Sequence, residues 1–154
     1  MSTVTKTIEI NAPVSQVWQE VVCRTDRMNE WMPHVIEARL LSPRPDEVGS
    51  KAFYRMEVLG FEREVTNEVT DIVDQQYLAY RSVSGNISEH GYWRFETVGG
   101  SRTRLTFFMD YQLPGAILGR IADALVFHRA QEDRIAEGLH TLKRRCEMGQ
   151  RLAA

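Results

Sequence analysis

The chain has 154 residues, 43% of them hydrophobic and 26% charged, with a formal net charge of -2. That length suits one domain with room for a core and an internal pocket. The near balance of charge excludes the Lys/Arg excess that phosphate backbones require, so nucleic acid is not an expected partner.

The first residues, Met1 to Lys6, lack the apolar run of a signal peptide, and no stretch approaches the roughly 20 apolar residues that span a bilayer. A cytoplasmic protein is expected. Its two cysteines, Cys23 and Cys146, are expected to be reduced, and they form no CxxC pair.

Residues 3–10 alternate in polarity, with Val4, Ile8 and Ile10 on one side and only Lys6 breaking the pattern; this period of two predicts a half-buried strand. Asn11-Ala12-Pro13 then ends the strand and opens a short helix carrying Val14, Val17, Trp18, Val21 and Val22. A second short helix is expected over the polar residues 24–30, closed by Trp31-Met32-Pro33. Six strand-like segments follow at 35–41, 51–58, 61–72, 76–83, 88–97 and 102–112. Leu59-Gly60 and Gly99-Gly100 read as hairpin turns, so the segments form an antiparallel meander. After Leu113-Pro114-Gly115 comes a proline-free stretch from about 116 to 148. Ile117, Ile121, Leu125, Ile135, Leu139, Leu142 and Cys146 recur there at helical spacing, while Arg134, Lys143, Arg144 and Arg145 lie off that stripe.

The fold class is therefore α+β. A seven-stranded curved antiparallel sheet is wrapped around a long C-terminal helix, with two short helices after the first strand. Only the long helix is large enough to cover one sheet face, and the gap it leaves is the natural pocket.

Three segments carry a family resemblance. The opening IEINAPVSQVWQEV (residues 8–21) resembles the start of the START-like, or helix-grip, superfamily related to the birch-pollen allergen. GYWRFETVGGSRTRLTFFMDYQLPG (91–115) is similar to the last hairpin of its polyketide cyclase/dehydrase and lipid-transport branch, and RAQEDRIAEGLHTLKRRCE (129–147) resembles that branch's closing helix. The resemblance covers residues 3 to 148 and implies a helix-grip fold. It also implies a place among members that cyclise and dehydrate aromatic polyketides, carry lipids or quinones, bind plant hormones, or have no known activity. It brings no single catalytic signature, and the fold does not choose among these activities.

The residues narrow the choice only in part. His128 and Glu132 interrupt the helical stripe four residues apart, so they share a face. If that face meets the cavity, they are an acid/base pair; if the helix rolls, they are a solvated pair with Phe127 or Ala130 turned inward. His34, beside Pro33, reads as a surface loop residue. On 88–97 the parity of Gly91, Trp93 and Phe95 is the inner one, which puts His90 and Tyr92 outside. Trp93 is then core or a ligand-stacking wall, and Gly91 leaves room for a ligand. Phe107, Met109 and Tyr111 face the helix, as pocket wall or as core. Tyr54, Met56, Leu78 and Tyr80 are similar candidates. Arg63 is either inward, paired with a ligand oxyanion or with Glu132, or solvated near a sheet edge. Trp31 and Met32 either gate the pocket or seal the short helices to the sheet. The apolar corner 113–118 is a hinge or a patch for a membrane or partner protein.

No GxGxxG, P-loop, HExxH or GxSxG occurs, so no cofactor and no metal site are expected. The expectation is a single START-like ligand-binding domain over 1–154 that binds a hydrophobic small molecule, such as a lipid, quinone or polyketide, in an internal cavity. The ligand-binding candidates are Trp31, Tyr54, Met56, Arg63, Tyr80, Trp93, Phe107, Met109 and Tyr111. The alternative is a cofactor-free aromatic polyketide cyclase/dehydratase using His128 and Glu132, with Arg63 or Tyr111, as acid/base and oxyanion partners. A transient membrane or partner-protein contact and a homodimer stay open as further partnerships.

Overall fold

The alternating segment at the N-terminus forms β1 (Ser2–Ile10). Val4 and Ile10 turn inward to near-complete burial, as the period of two requires. The structure, a computed structural model, describes residues 2–115, 119 and 124–153. Pro13 sits at the N-cap of α1 (Val14–Trp18), which loosens into a π-helical turn at Gln19–Cys23 and then a 3-10 segment at Thr25–Glu30. The six remaining strands are β2 (Val35–Leu40), β3 (Lys51–Val58), β4 (Phe61–Val73), β5 (Tyr77–Gly85), β6 (Ser88–Val98) and β7 (Arg102–Gln112). The last element, α2, runs over Ala124–Ala153, about 45 Å at the 1.5 Å helical rise.

All neighbours in the sheet are antiparallel, in the order β1-β7-β6-β5-β4-β3-β2. The two edge strands, β1 and β2, are joined through α1 and the short helical turns, so that connection spans the open side of the sheet. Register shifts between Val35 and Glu37, Thr66 and Asn67, and Val69 and Asp71 mark bulges, which bend strands and increase their twist. Val58 pairs with Phe61 across Leu59 and Gly60, whose φ angles of 53° and 80° fit the two left-handed positions of a type I′ hairpin.

The core is one cluster. Val17, Leu105, Ile135, Leu139, Leu142 and Cys146 are at most 1% exposed within it. Side-chain bonds lock the corner after β1: Thr103 Oγ1 donates to the Ala12 carbonyl at 2.8 Å, and the Asn11 N–H donates to Glu147 at 2.9 Å. Gln16 Nε2 donates to the Cys146 carbonyl at 2.9 Å and Lys143 Nζ to the Glu9 carbonyl at 3.0 Å, tying the far end of α2 to the same corner.

Two details of the helix differ from the periodicity reading. Its inward face runs through Phe127, Gln131, Arg134, Ile135, Gly138, Leu139, Leu142 and Cys146, all buried, whereas Leu125 is 53% exposed. The helix has rolled so that Phe127 takes the inner position. Arg134, expected off the stripe, is therefore buried. Ile117 and Ile121 lie outside the described residues. At Gly138 a Cβ would stand 2.6 Å from Met32 Sδ, so the missing side chain is what lets the Met32-Pro33 turn dock on α2.

Candidate functional site

Between the sheet, the middle of α2 and the short helices lies a cavity of about 850 Å³, its open mouth included. Its position follows from local structure. The inner face of β3 supplies Ala52, Tyr54 and Met56, β5 supplies Leu78 and Tyr80, and β6 and β7 supply Trp93, Phe107 and Met109. These are alternate residues of pleated strands, so one parity per strand builds the whole wall. Arg134 and Ile135 of α2 close the opposite side. Val21, Val22, Thr25 and Met28 of the short helices and Met32 of the turn after them meet Leu40, Pro45 and Ser50, at the end of β2 and in the β2–β3 connection, at the remaining wall.

Aromatic rings stiffen this wall. Trp93 and Phe107 have ring centroids 4.2 Å apart, and Trp31 meets Trp93 edge-on at 6.2 Å. Trp31 and Met32 are 3% and 4% exposed, so they seal the short helices to the sheet. The room expected at Gly91 is taken by its cross-strand partner Tyr80, whose hydroxyl lies 2.8 Å from where a Cβ would stand. Gly91 thus accommodates a phenol that itself lines the cavity.

The polar groups are few and mostly buried. The Tyr54 hydroxyl hydrogen-bonds Thr25, and burial pushes its pKa up to about 12. Burial, with Glu89 and Tyr54 nearby, holds the Tyr80 phenol well above the usual range. Asn67 Nδ2 donates to Glu89 Oε1 at 2.9 Å, and both residues line the cavity. Arg134 Nε donates to Gln131 Oε1 at 3.0 Å; burial and then the charge of Arg63 bring its pKa down to about 10. Arg63 is fully buried beside Met56, its cross-strand partner, with Nη2 3.5 Å from Met56 Sδ and the guanidinium 5.3 Å from the Phe127 ring centroid. Burial lowers its pKa as well.

Of the residues singled out from sequence, Tyr54, Met56, Tyr80, Trp93, Phe107 and Met109 stand on the cavity wall. Trp31, Arg63 and Tyr111 are buried in the layer around it. His128 and Glu132 are brought together elsewhere, on the flank of α2 towards β1 and β7. Tyr111 Oη lies 2.9 Å from His128 Nδ1, His128 Nε2 lies 3.6 Å from Glu132, and Lys6 Nζ lies 3.6 Å from Glu132's other oxygen. This last pair explains the lysine on the inner side of an edge strand. With the tyrosine O–H donating, the imidazole carries its proton on Nε2, towards Glu132. Glu132 is paired with Lys6 and His128 rather than with Arg63. Of the 113–118 corner, Leu113 is buried and 116–118 lie outside the described residues. His34 and His90 are exposed, and His90 lies 3.7 Å from Asp110 on the outer face.

Glu89, Asn67, Gln131 and Arg134 were missed as site residues. For Glu89 the signal was present, since it shares the inner parity of Gly91, Trp93 and Phe95. For Arg134 it was not, because its burial depends on the roll of the helix. Among the described residues no group of three or more His, Cys, Asp or Glu is placed to hold a metal ion, and no helix is long and apolar enough to cross a membrane.

Residues 1–147 match the family model described as polyketide cyclase/dehydrase and lipid transport. No curated protein matches the chain. Similar solved structures include a protein from Thermus thermophilus (18% identity, 96% of this chain and 99% of that chain, TM-score 0.80). The Zhui aromatase/cyclase from Streptomyces sp. R1128 is 18% identical over 95% of this chain and 93% of that one, with a TM-score of 0.75. A START superfamily protein from Mycobacterium smegmatis is 18% identical over 87% and 97%, with a TM-score of 0.63. At these identities the structures share the fold, a curved antiparallel sheet closed on its terminal helix. Since the family model spans nearly the whole chain, this protein belongs to the polyketide cyclase/dehydrase and lipid transport family.

Proposed function

We propose that residues 1–154 act as one cytoplasmic ligand-binding domain that holds a hydrophobic small molecule, such as a lipid, quinone or polyketide, between the sheet and α2. The observation that carries this reading is a hollow between the sheet and α2 walled by Met56, Leu78, Trp93, Phe107, Met109 and Ile135. Aromatic and methionine walls give a bulky apolar guest both area and adaptability. Native mass spectrometry of the protein purified from its own cells, or after exposure to a lipid extract, is expected to show a one-to-one complex with an apolar molecule. Only the bare chain in both preparations would contradict it.

A second reading is cofactor-free cyclisation or dehydration, supported by the Tyr111–His128 hydrogen bond and by the fold shared with an aromatase/cyclase. In this reading the His128 and Glu132 pair moves protons through Tyr111, which stands two residues from the cavity-lining Met109 on the same strand face. His128→Ala and Glu132→Gln should then spare binding and abolish turnover of a linear poly-β-ketone thioester. Unchanged turnover in both variants removes those roles.

A further inference from the structure

The polar end of the cavity is unbalanced in charge. Two arginines, Arg63 at 0% and Arg134 at 7% exposure, sit beside one buried carboxylate, Glu89 at 8%. Glu89 influences both guanidiniums, yet neither forms an ion pair among the described residues, and Glu89 is hydrogen-bonded to Asn67 instead. With all three ionised, one positive charge is left over. A buried charge is held at high cost unless it is paired and hydrogen-bonded.

The donors are unbalanced in the same direction. Nε and Nη1 of Arg63 and Nε2 of Gln131 are buried without a hydrogen-bond partner. The remaining Arg63 nitrogen with a partner, Nη2, reaches only a thioether sulfur, a weak acceptor. Gln131 spends its carbonyl oxygen on Arg134, which leaves its amide N–H groups as spare donors. Against these donors stands one spare acceptor on the cavity wall, the Asn67 side-chain oxygen, itself uncharged; what the two guanidiniums lack is an oxygen acceptor carrying one negative charge. Arg134 stands on the cavity wall, and Arg63 contacts Met56, its cross-strand neighbour, a flexible side chain that lines the same wall. A guanidinium with unused N–H groups is the natural receptor for a carboxylate.

Resting on the reading that the cavity binds a hydrophobic guest, we propose that this guest is an amphipathic organic acid. Its single oxyanion is taken up by Arg134 and Arg63, with Gln131 as an additional donor. Its apolar body lies along the wall of Leu78, Trp93 and Phe107. The inference separates acids from the neutral lipids and quinones that the same wall would accept.

The test uses the full chain loaded with N-phenyl-1-naphthylamine, an uncharged apolar fluorophore, and competes it at pH 7.4 with decanoic acid or methyl decanoate. The acid should displace the probe at least tenfold more tightly than the ester, although the ester is the more apolar. Arg134→Met and Arg63→Met should each bring the ratio of acid to ester affinity to within about twofold of one. Equal competition by acid and ester in the unaltered protein overturns the proposal, with the donors then served by water and the cavity reading intact. The proposal is equally overturned if both variants keep the preference. Failure of the uncharged probe to bind at all overturns the cavity reading and this inference together. The comparison in the unaltered protein needs no variant to fold.

Discussion

The two stretches of α2 meet the sheet in different ways. From Leu139 to Cys146 the contact is solid: Leu139, Leu142 and Cys146 are at most 1% exposed, in one cluster with Ile10, Val17 and Leu105. Hydrogen bonds from Gln16, Asn11 and Lys143 fasten that end to the corner after β1. Around Arg134 the helix instead faces a hollow and two buried guanidiniums. One end supplies the stability that lets the other remain incompletely filled, since a void and an unpaired buried charge both cost free energy. The division also assigns roles: packing at the C-terminal end, recognition in the middle.

Substitutions can break or sharpen this contrast. Leu142→Ala, in the solid region, should cost about 3–5 kcal/mol, the range for a large-to-small change where neighbours cannot collapse. Urea unfolding measures it. Gly91→Ala should cost about 3 kcal/mol, at the upper end for overpacking, because a Cβ there would stand 2.2 Å from the Phe108 carbonyl oxygen. Leu78→Ala, on the cavity wall, should cost only about 2 kcal/mol, because its side chain already borders empty space. A loss equal to that of Leu142→Ala would erase the distinction between the regions.

Tyr54→Phe gives a smaller effect with a pH signature. The loss of its bond to Thr25 should cost about 1 kcal/mol at neutral pH. The phenol's pKa in the fold, about 12, lies above its unfolded value near 10, so the folded state keeps the proton longer. Its contribution is complete below about pH 10 and drains away as pH rises through 12. The variant should therefore show a flatter alkaline limb of stability against pH than the unaltered protein. Smallest of all, Leu59→Asn should stabilise by about 0.5 kcal/mol, since Asn tolerates the left-handed conformation of this turn position better than Leu. Thermal unfolding resolves both changes.

What was legible in the sequence follows the same division. The seven strands and the Leu59-Gly60 turn were readable because alternation and turn chemistry are local signals. So were the wall residues Tyr54, Met56, Trp93, Phe107 and Met109, whose strand parity fixes their side. The phase of α2 was not readable near its start, where Leu125 fits an apolar stripe as well as Phe127 does and only contact with the sheet chooses between them. The polar lining was hidden for a different reason. Charged residues are almost always solvated, so Arg134 read as off the buried stripe, and Glu89, although it shares the inner parity of Gly91, Trp93 and Phe95, drew no notice. His128 and Glu132 did come together, but with Tyr111 and Lys6 on the flank of the helix.

The most direct test of the hollow is to fill it. Ala52 lines the cavity wall, and Ala52→Phe would place a ring in the space a guest would occupy. Titration with N-phenyl-1-naphthylamine should give saturable one-to-one fluorescence enhancement in the unaltered protein and none in Ala52→Phe, with the circular dichroism spectra of the two superimposable. Equal saturable binding by both, or none by either, would contradict a ligand site between the sheet and its terminal helix.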